Sequence, residues 1–431
     1  MRQGAAIPAF PARIWDMRIV VLGAGVIGVA SAYWLRRAGH EVRVIERREG
    51  AGLETSWGNG ALIHVSSVQP WAAPGVPLKV LKWLGKEDAP MLLRPSAVPK
   101  MWRWGLGFLR AARPAQYRAG SLANLKLAIE SAAAMAEIRA ATHVQYDYAG
   151  NSVMKVFPDQ PSLDVAIAEH LSLAPDGLQT EVLSRDECIA REPTLAPVAE
   201  KIAGGLGFPQ DEVGDCNKFS QGLAAWLEGQ GVRFHYNTTV EDVVLKGGRV
   251  AAVRVSGNAG DSEVPADAVV VALASQSVPL LRRLGISMPI YPVKGLSVTL
   301  PRSVWPDGPR MAVIDDSRKF VLTPLGDRYR IVGSAEVGDT STTPSPTRIS
   351  SVTRGVAELF PHLTNCESLP GAIAWAGLRP MVPDAQPRIG ATRIPGLWTN
   401  TGHGHTGWTM AAGSGRRLAQ MMSRNDFAGA A

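Results

Sequence analysis

Residues 18–46, RIVVLGAGVIGVASAYWLRRAGHEVRVIE, constrain this chain more than any other stretch. An apolar run enters a glycine turn, continues with helical spacing and leaves in alternating strand residues, which predicts strand, helix, strand. Gly23, Gly25 and Gly28 stand in GxGxxG, with Ala24 and Val26 beside the second glycine. In this context the first glycine makes a tight turn, the second lets backbone approach a pyrophosphate, and the third allows the helix to pack closely on the strand. The helix N-terminus offers N–H groups to phosphate. Glu46 closes the second strand about 20 residues on, where a carboxylate accepts both hydroxyls of an adenosine ribose and disfavours a 2′-phosphate. A dinucleotide is therefore expected.

A chain of 431 residues that is 46% apolar exceeds one small core, so two interwoven domains are expected. There is no second GxGxxG for a nicotinamide cofactor, and the far end of the chain is itself glycine-rich. Both observations favour FAD over NAD. The excess of 45 Lys and Arg over 38 Asp and Glu gives +7, which suits anionic substrates, phosphates or an acidic membrane surface. The basic residues are scattered and carry no recognised module, so nucleic acid is not an expected partner. Cys188, Cys216 and Cys366 lie far apart without CxxC or nearby His spacing, which suggests neither disulfides nor zinc and fits a reducing cytosol. No run reaches the ~18 apolar residues of a membrane-spanning helix, and residues 1–16 lack the apolar core of a signal peptide. The expected location is the cytoplasm, free or peripheral on a membrane face. Met17 directly precedes the first strand, so residues 1–16 read as a disordered extension or a misassigned start.

After Glu46, the loop RREGAGLETSWGNGALI is rich in small residues that let backbone pass close to a phosphate or planar ring, with an ordinary surface loop as the alternative. An Ala-rich helix is predicted over 121–141, with Leu122, Leu125, Ile129 and Met135 near one face. The stretch KFSQGLAAWLEGQGVRFHYNTTVEDVVLKGGRVAAVRVS predicts a helix, a strand and a hairpin turning at Gly247 and Gly248, followed by the apolar strand AVVVALA. Strand-rich runs such as YPVKGLSVTL suggest a mixed sheet. The expected fold is α/β, a Rossmann-like FAD-binding domain with an interwoven mixed or antiparallel-sheet substrate domain. Its nucleotide-binding pieces are 17–85, 214–285 and 370–431, and its substrate domain comprises 86–213 and 286–369.

In order along the chain, VVLGAGVIGVASAYWLRRAGHEVRVIER, LETSWGNGALI, PWAAPGVPLK, DEVGDC, YPVKGLSVT, WAGLRPMVPD and LWTNTGHGHTGWTMAAGSG resemble the D-amino-acid dehydrogenases, small-subunit type, of the FAD-dependent D-amino-acid oxidase superfamily. The resemblance implies FAD held non-covalently and a substrate domain covering the flavin face. It implies hydride transfer from the α-carbon of a D-amino acid to flavin, giving an imino acid and then a 2-oxo acid. Electrons would pass to a quinone or respiratory acceptor. It places Gly23, Ala24, Gly25, Val26 and Gly28 at the pyrophosphate, and Glu46 and Arg47 at the adenosine. Thr55, Ser56 and Asn59 fall along the flavin-side phosphates or ring, and Val240 at the adenine. Gly402, His403, Gly404, Gly407, Trp408 and Thr409 curl beneath the isoalloxazine. Three departures bear on the substrate more than on the cofactor. Trp57, Gly58 and Asn59 stand in a stretch that often reads Ala-Ala-Asn, bringing an indole toward the flavin. His405 and Thr406 replace a common Thr-Leu, and Leu273, Ala274 and Ser275 end a strand that often finishes in Gly.

Oxidising an amine at its α-carbon needs a neutral amine, a clamp on the carboxylate that aims the Cα hydrogen, and surroundings that tolerate a reduced anionic flavin. Arg379 precedes a proline and is biased to extended backbone, and its planar fork suits a carboxylate. Without the resemblance, an ion pair with Asp384 or Glu336 explains Arg379 equally well. His403, amid glycines before a helical pattern, either lies where backbone N–H groups stabilise charge at the flavin pyrimidine or packs against its own loop. His64 is a further catalytic candidate, as is His405, although a structural histidine is the plainer reading of each. Lys294 begins a strand and is expected to face solvent. No metal site is expected, since His403 and His405 lack a third ligand. The run MWRWGLGFLRAAR sets Trp102, Trp104, Phe108 and Leu109 among Arg103, Arg110 and Arg113, a pattern for an acidic membrane surface, with a packed helix end slightly preferred. D-amino acids are the expected substrates. The alternatives are cyclic or N-substituted amino acids such as D-hydroxyproline, D-proline or sarcosine, which Trp57 would suit by stacking, or an oxidase using oxygen. A nucleotide-binding regulator without catalysis is the reading from another class.

Overall fold

In a computed structural model, residues 17–424 are described except for 88, 90, 258 and 259. Residues 1–16, read above as an extension, lie outside the described residues. The strand Arg18–Leu22 lies within a six-stranded sheet, paired in parallel with Glu41–Ile45 on one side and Ala268–Val271 on the other. Arg233–His235 and Leu397–Thr401 extend it in parallel, and Arg388–Ala391 closes one edge antiparallel. Strands covered on both faces read as continuous apolar runs, and successive side chains part to opposite faces. Ile19 and Val21 accordingly pack with the helices Val26–Arg37, Cys216–Gly229 and Gly407–Arg424. Val20 and Leu22 pack against the three-stranded sheet Thr238–Lys246, Arg249–Gly257 and Ser262–Pro265. Its hairpin turns at the expected glycines, Gly247 and Gly248, at φ of 58° and 77°.

A mixed sheet of nine strands among the described residues forms the other half. Its order runs Ile373–Met381, Tyr291–Pro301, Arg328–Val337, Phe320–Leu325, Ala312–Asp315, Val153–Phe157, Gly204–Gly207 and Glu181–Ser184, with Met91–Leu93 beside Arg328–Val337. Ile373–Met381, which the sequence segmentation grouped with the nucleotide-binding pieces, instead pairs with Tyr291–Pro301 in a continuous antiparallel ladder. Long-range strand pairing outweighs proximity in sequence there.

The helix expected over 121–141 runs Pro114–Thr142, because a proline is accommodated in the first helical turn, where no N–H bond is needed. Helix Gly407–Arg424, which continues the glycine-rich terminal motif, packs against both this helix and Val26–Arg37. Two glycines allow the approach. A Cβ at Gly413 would stand 2.8 Å from Ser131, and one at Gly415 would stand 2.9 Å from the Ala30 carbonyl. Arg417 pairs with Glu130 at 2.7 Å, and Arg416 with Glu137, across the same contact.

Overpacking so close a contact costs about 1–3 kcal/mol. Gly415→Ala is therefore expected to lower the melting temperature. Gly229→Ala, whose Cβ meets no atom within 4 Å, is not. Equal melting temperatures for the two variants in thermal denaturation would contradict this account.

Candidate active site

A cavity of about 450 Å³ lies between the two large sheets. Of the residues singled out in the sequence, Gly23, Gly25, Val26, Glu46, Arg47, Thr55, Ser56, Asn59, Val240, Gly402, Gly404, Gly407 and Trp408 line it, together with His64, His403 and Arg379. Ala24, Gly28 and Thr409 stand one step behind. The Ala24 N–H donates to Glu46 Oε2 at 2.7 Å, and Thr409 Oγ1 accepts the His64 N–H at 3.0 Å. A Cβ at Gly28 would lie 1.9 Å from the Gly23 carbonyl oxygen.

At the nucleotide end, helix Val26–Arg37 begins after Gly25 with no side-chain cap and no acidic residue in its first turn. The positive end of its dipole is thus left for a ligand to neutralise. Glu46 Oε1 accepts the Arg48 N–H at 2.9 Å, so backbone donors hold both carboxylate oxygens, and burial pushes this carboxyl above the usual range. Ala274 lines the cavity at φ 49°, a backbone state that glycine adopts without penalty and that costs about 1–3 kcal/mol otherwise.

At the opposite end Arg379 makes no ion pair among the described residues. Asp384 pairs with Arg388 at 3.0 Å and Glu336 with Arg94 at 2.5 Å, which removes the ion-pair alternative. Arg379 Nη1 donates to the carbonyls of Ser334 at 3.3 Å and Lys294 at 3.5 Å. Burial without a counter-charge lowers the guanidinium to about 10, still cationic at neutral pH. The Trp71 ring lies 5.8 Å from it and tilts against His405 at 5.2 Å between centroids. Burial pulls His64 down to about 4 and His403 to about 3. His405 falls to about 3 through burial, with repulsion from Arg379 adding to it. All three imidazoles are neutral at pH 7. His64 Nδ1, His403 Nε2 and His405 Nδ1 are buried without a hydrogen-bond partner, although buried polar atoms nearly always have one. Three unsatisfied nitrogens and an unpaired cation lining one cavity describe a site that a polar ligand completes.

Two expectations need correction. Trp57 does not line the cavity: its ring lies 6.2 Å from Trp375 and 5.8 Å from the Arg330 guanidinium. The support it lent to cyclic substrates lapses with it. The indole in the wall is Trp375, seated where Gly58 and Gly377 leave room, since a Cβ at either would fall 2.5 or 2.1 Å from its ring. Lys294 is buried rather than exposed, because its ammonium finds Asp339 Oδ2 at 2.7 Å and Ser341 Oγ at 3.1 Å. Sequence reasoning did not single out Trp71 or Trp375. The period-two spacing of Trp375, Gly377 and Arg379 along one strand face carried the signal for the latter.

Next to His64, the buried carboxyl of Asp211 holds the turn Val65–Ser67. Ser66 N–H donates to Oδ1 at 3.1 Å, and Ser66 Oγ meets Oδ2. Burial pushes this carboxyl up to about 7. A carboxyl raised above its unfolded value of about 3.9 binds its proton more tightly in the fold. Its contribution to stability is therefore fully present below about pH 4 and is lost as pH rises through about 7. Asp211→Asn should flatten the fall in melting temperature between about pH 5 and 7.5. An unchanged slope would refute this.

Residues 18–421 match the model of the family described as FAD dependent oxidoreductase, DAO. The D-amino acid dehydrogenases of Sinorhizobium medicae and Rhizobium rhizogenes are 44% and 42% identical over 407 residues, covering 94% of this chain and 96% of each relative. That of Cereibacter sphaeroides is 44% identical over 406 residues, covering 94% and 92%. Among solved structures, a glycine oxidase from Bacillus cereus superposes with a TM-score of 0.72 at 22% identity, covering 95% of each chain. The L-proline dehydrogenase from P. horikoshii gives 0.70 at 18% identity, covering 95% of this chain and 93% of its own. At such identities the structural likeness establishes the fold. With the family match extending from the first strand into the last helix, the chain belongs to the DAO family of FAD-dependent oxidoreductases.

Proposed function

We propose that this enzyme oxidises D-amino acids to 2-oxo acids, with Arg379 holding the substrate carboxylate. The observation that carries this reading is the unpaired guanidinium, tied by two backbone carbonyls into a cavity wall beside neutral imidazoles. The relatives named D-amino acid dehydrogenase support the class of donor.

FAD fits the rest of the cavity. The wall is open at Gly25, where a Cβ would meet nothing closer than Ser56 Oγ at 3.6 Å. Gly23, Gly25 and Val26 would hold the pyrophosphate, Glu46 the ribose, Val240 the adenine, and Gly402, Gly404, Gly407 and Trp408 the isoalloxazine side. When bound, FAD supplies the two-electron acceptor for the α-carbon hydride.

The chain's own contribution is placement and field. The guanidinium fork binds a carboxylate through charge-assisted bonds. That anchors one substituent of the α-carbon, and orientation of the reacting C–H provides much of the rate. The acidic residues on the cavity wall, Glu46 and Glu54, stand at the nucleotide end, so no acid offsets a second positive charge near Arg379. With the substrate carboxylate taken up by Arg379, a buried ammonium would find no counter-charge on this part of the wall, so the amine binds neutral. His64 Nδ1 and His403 Nε2, buried without a partner, are left to hydrogen-bond a ligand, and burial keeps both rings neutral so that neither adds a charge.

We assign a quinone or other respiratory acceptor at a membrane face in preference to oxygen. Helix Trp102–Ala111 supports this, with Trp102, Leu106 and Leu109 exposed by 56%, 59% and 53% among exposed Arg103, Arg110 and Arg113. Its other side packs, and Trp104 Nε1 donates to the Met381 carbonyl at 2.9 Å, so a packed helix end describes only half of this element. No helix among the described residues is long and apolar enough to cross a membrane, and the contact we assign is a peripheral one through this exposed face.

Anaerobic reduction of the bound flavin by a D-amino acid and by its amide tests the clamp. Arg379→Ala should lose about 1.5–3 kcal/mol of substrate binding and narrow the native preference for the acid, with FAD content intact. Arg379→Lys should fall between the two. A native preference in Arg379→Ala would place the clamp elsewhere. For the membrane face, anionic vesicles should co-sediment the native enzyme and release the triple variant Trp102→Ser, Leu106→Ser, Leu109→Ser. Equal retention of both, or of neither, contradicts that assignment.

A further inference from the structure

The strand pairing beneath Arg379 contains an irregularity. Between Tyr291–Pro301 and Arg328–Val337, Lys294 opposes Glu336 and Leu296 opposes Gly333, so Gly295 alone faces Ser334 and Ala335. At this bulge Ser334 sits at φ 65°, a left-handed conformation that a side-chain-bearing residue keeps only when its surroundings impose it. The outer neighbour of the strand changes at the same place, from Phe320 opposite Gly333 to Met91 opposite Ala335. Ser334 falls in the gap between those two partners.

Arg348 holds that gap. It is buried on helix Pro346–Leu359. Its Nη2 donates to Ser334 Oγ and to the Ala335 carbonyl at 3.4 Å, while Nη1 donates to the carbonyls of Glu87 and Ala89, the latter at 2.7 Å. The Ser334 carbonyl is thereby presented to Arg379 Nη1 at 3.3 Å, with the Lys294 carbonyl at 3.5 Å. Gly295 supplies the room. A Cβ there would stand 2.4 Å from the guanidinium carbon and 2.4 and 2.5 Å from its two terminal nitrogens. The guanidinium therefore lies against bare backbone with one nitrogen tied down. Nε and Nη2 make no hydrogen bond among the described residues and are left for a ligand.

We propose that Gly295, Ser334 and Arg348 are positioning residues that pre-orient Arg379 for the substrate carboxylate; this rests on the clamp reading above. A long side chain free to sample rotamers would have to be immobilised at each binding event, and the support removes that cost beforehand. Its effect falls on acids and not on amides, and on half-saturation more than on limiting rate.

Two variants test this without attacking the buried Arg348. Gly295→Ala puts its Cβ against the movable end of Arg379, and Ser334→Gly keeps the positive φ while deleting the hydroxyl that Arg348 holds. The readouts are the half-saturating concentration and the limiting rate of anaerobic flavin reduction by D-alanine and by D-alaninamide, with FAD content and melting temperature alongside. Gly295→Ala should raise half-saturation for D-alanine by about tenfold and Ser334→Gly by about threefold, with D-alaninamide, FAD content and melting temperature near native. In an Arg379→Lys background, Gly295→Ala should add less than about twofold, since the guanidinium it displaces is gone. Native half-saturation in both single variants, an equal loss for acid and amide, or a full further loss in the Arg379→Lys background overturns the positioning role. If Arg379→Ala itself leaves the acid preference intact, or D-alanine fails to reduce the native flavin, the clamp reading or the function beneath it is what fails.

Discussion

Gly28 lies so close to the turn at Gly23 that a Cβ would stand 1.9 Å from the Gly23 carbonyl oxygen. This backbone contact sets helix Val26–Arg37 down on the first strand. That helix in turn forms one of the two surfaces on which Gly407–Arg424 rests, with Gly415 against Ala30 and Gly413 against Ser131 of helix Pro114–Thr142. The glycine-rich segment leading into the last helix then lines the same cavity as the turn at Gly23. Interiors packed at crystal density transmit such constraints, so one turn near the start of the chain fixes the placement of residues near its end.

The cavity's electrostatics follow from what the nine-stranded sheet withholds. It offers Arg379 two carbonyls and no carboxylate, and the histidines that other elements bring to the same cavity, His405 within the field of the cation among them, are kept neutral by burial. Burying a charge without a partner is unfavourable, and removing one half of a buried pair is more so. A fold that tolerates this arrangement therefore gains from any anion that enters. Nearby acids are committed elsewhere: Glu336 to Arg94, Asp339 to Lys294 and Asp384 to Arg388.

The departures from the family pattern divide according to where the structure puts them. His405 stands beside Trp71 and within the field of Arg379, and so shapes the Arg379 end of the cavity. Ala274 accepts a left-handed backbone in the cavity wall, where glycine would be unstrained. Trp57 turns away toward Arg330 and leaves the aromatic surface to Trp71 and Trp375.

The nucleotide end was legible because its determinants are local. Strand, turn, helix and acid follow one another within residues 18–46, and alternation at Ile19, Val20, Val21 and Leu22 already separates the two faces of the sheet. The Arg379 end of the cavity, where we place the substrate, is built from pieces that sequence distance separates: His64 and Trp71, Gly295, Ser334, Arg379 and His405. Whether Lys294 meets solvent depends on Asp339, 45 residues away, and whether Arg379 meets an acid depends on Arg94 having taken Glu336, 242 residues from it. Periodicity records which face a residue occupies and is written in its neighbours. Pairing of charges, seating of an indole over Gly377 and the bulge at Ser334 depend on which strands lie side by side, and only the tertiary structure decides that.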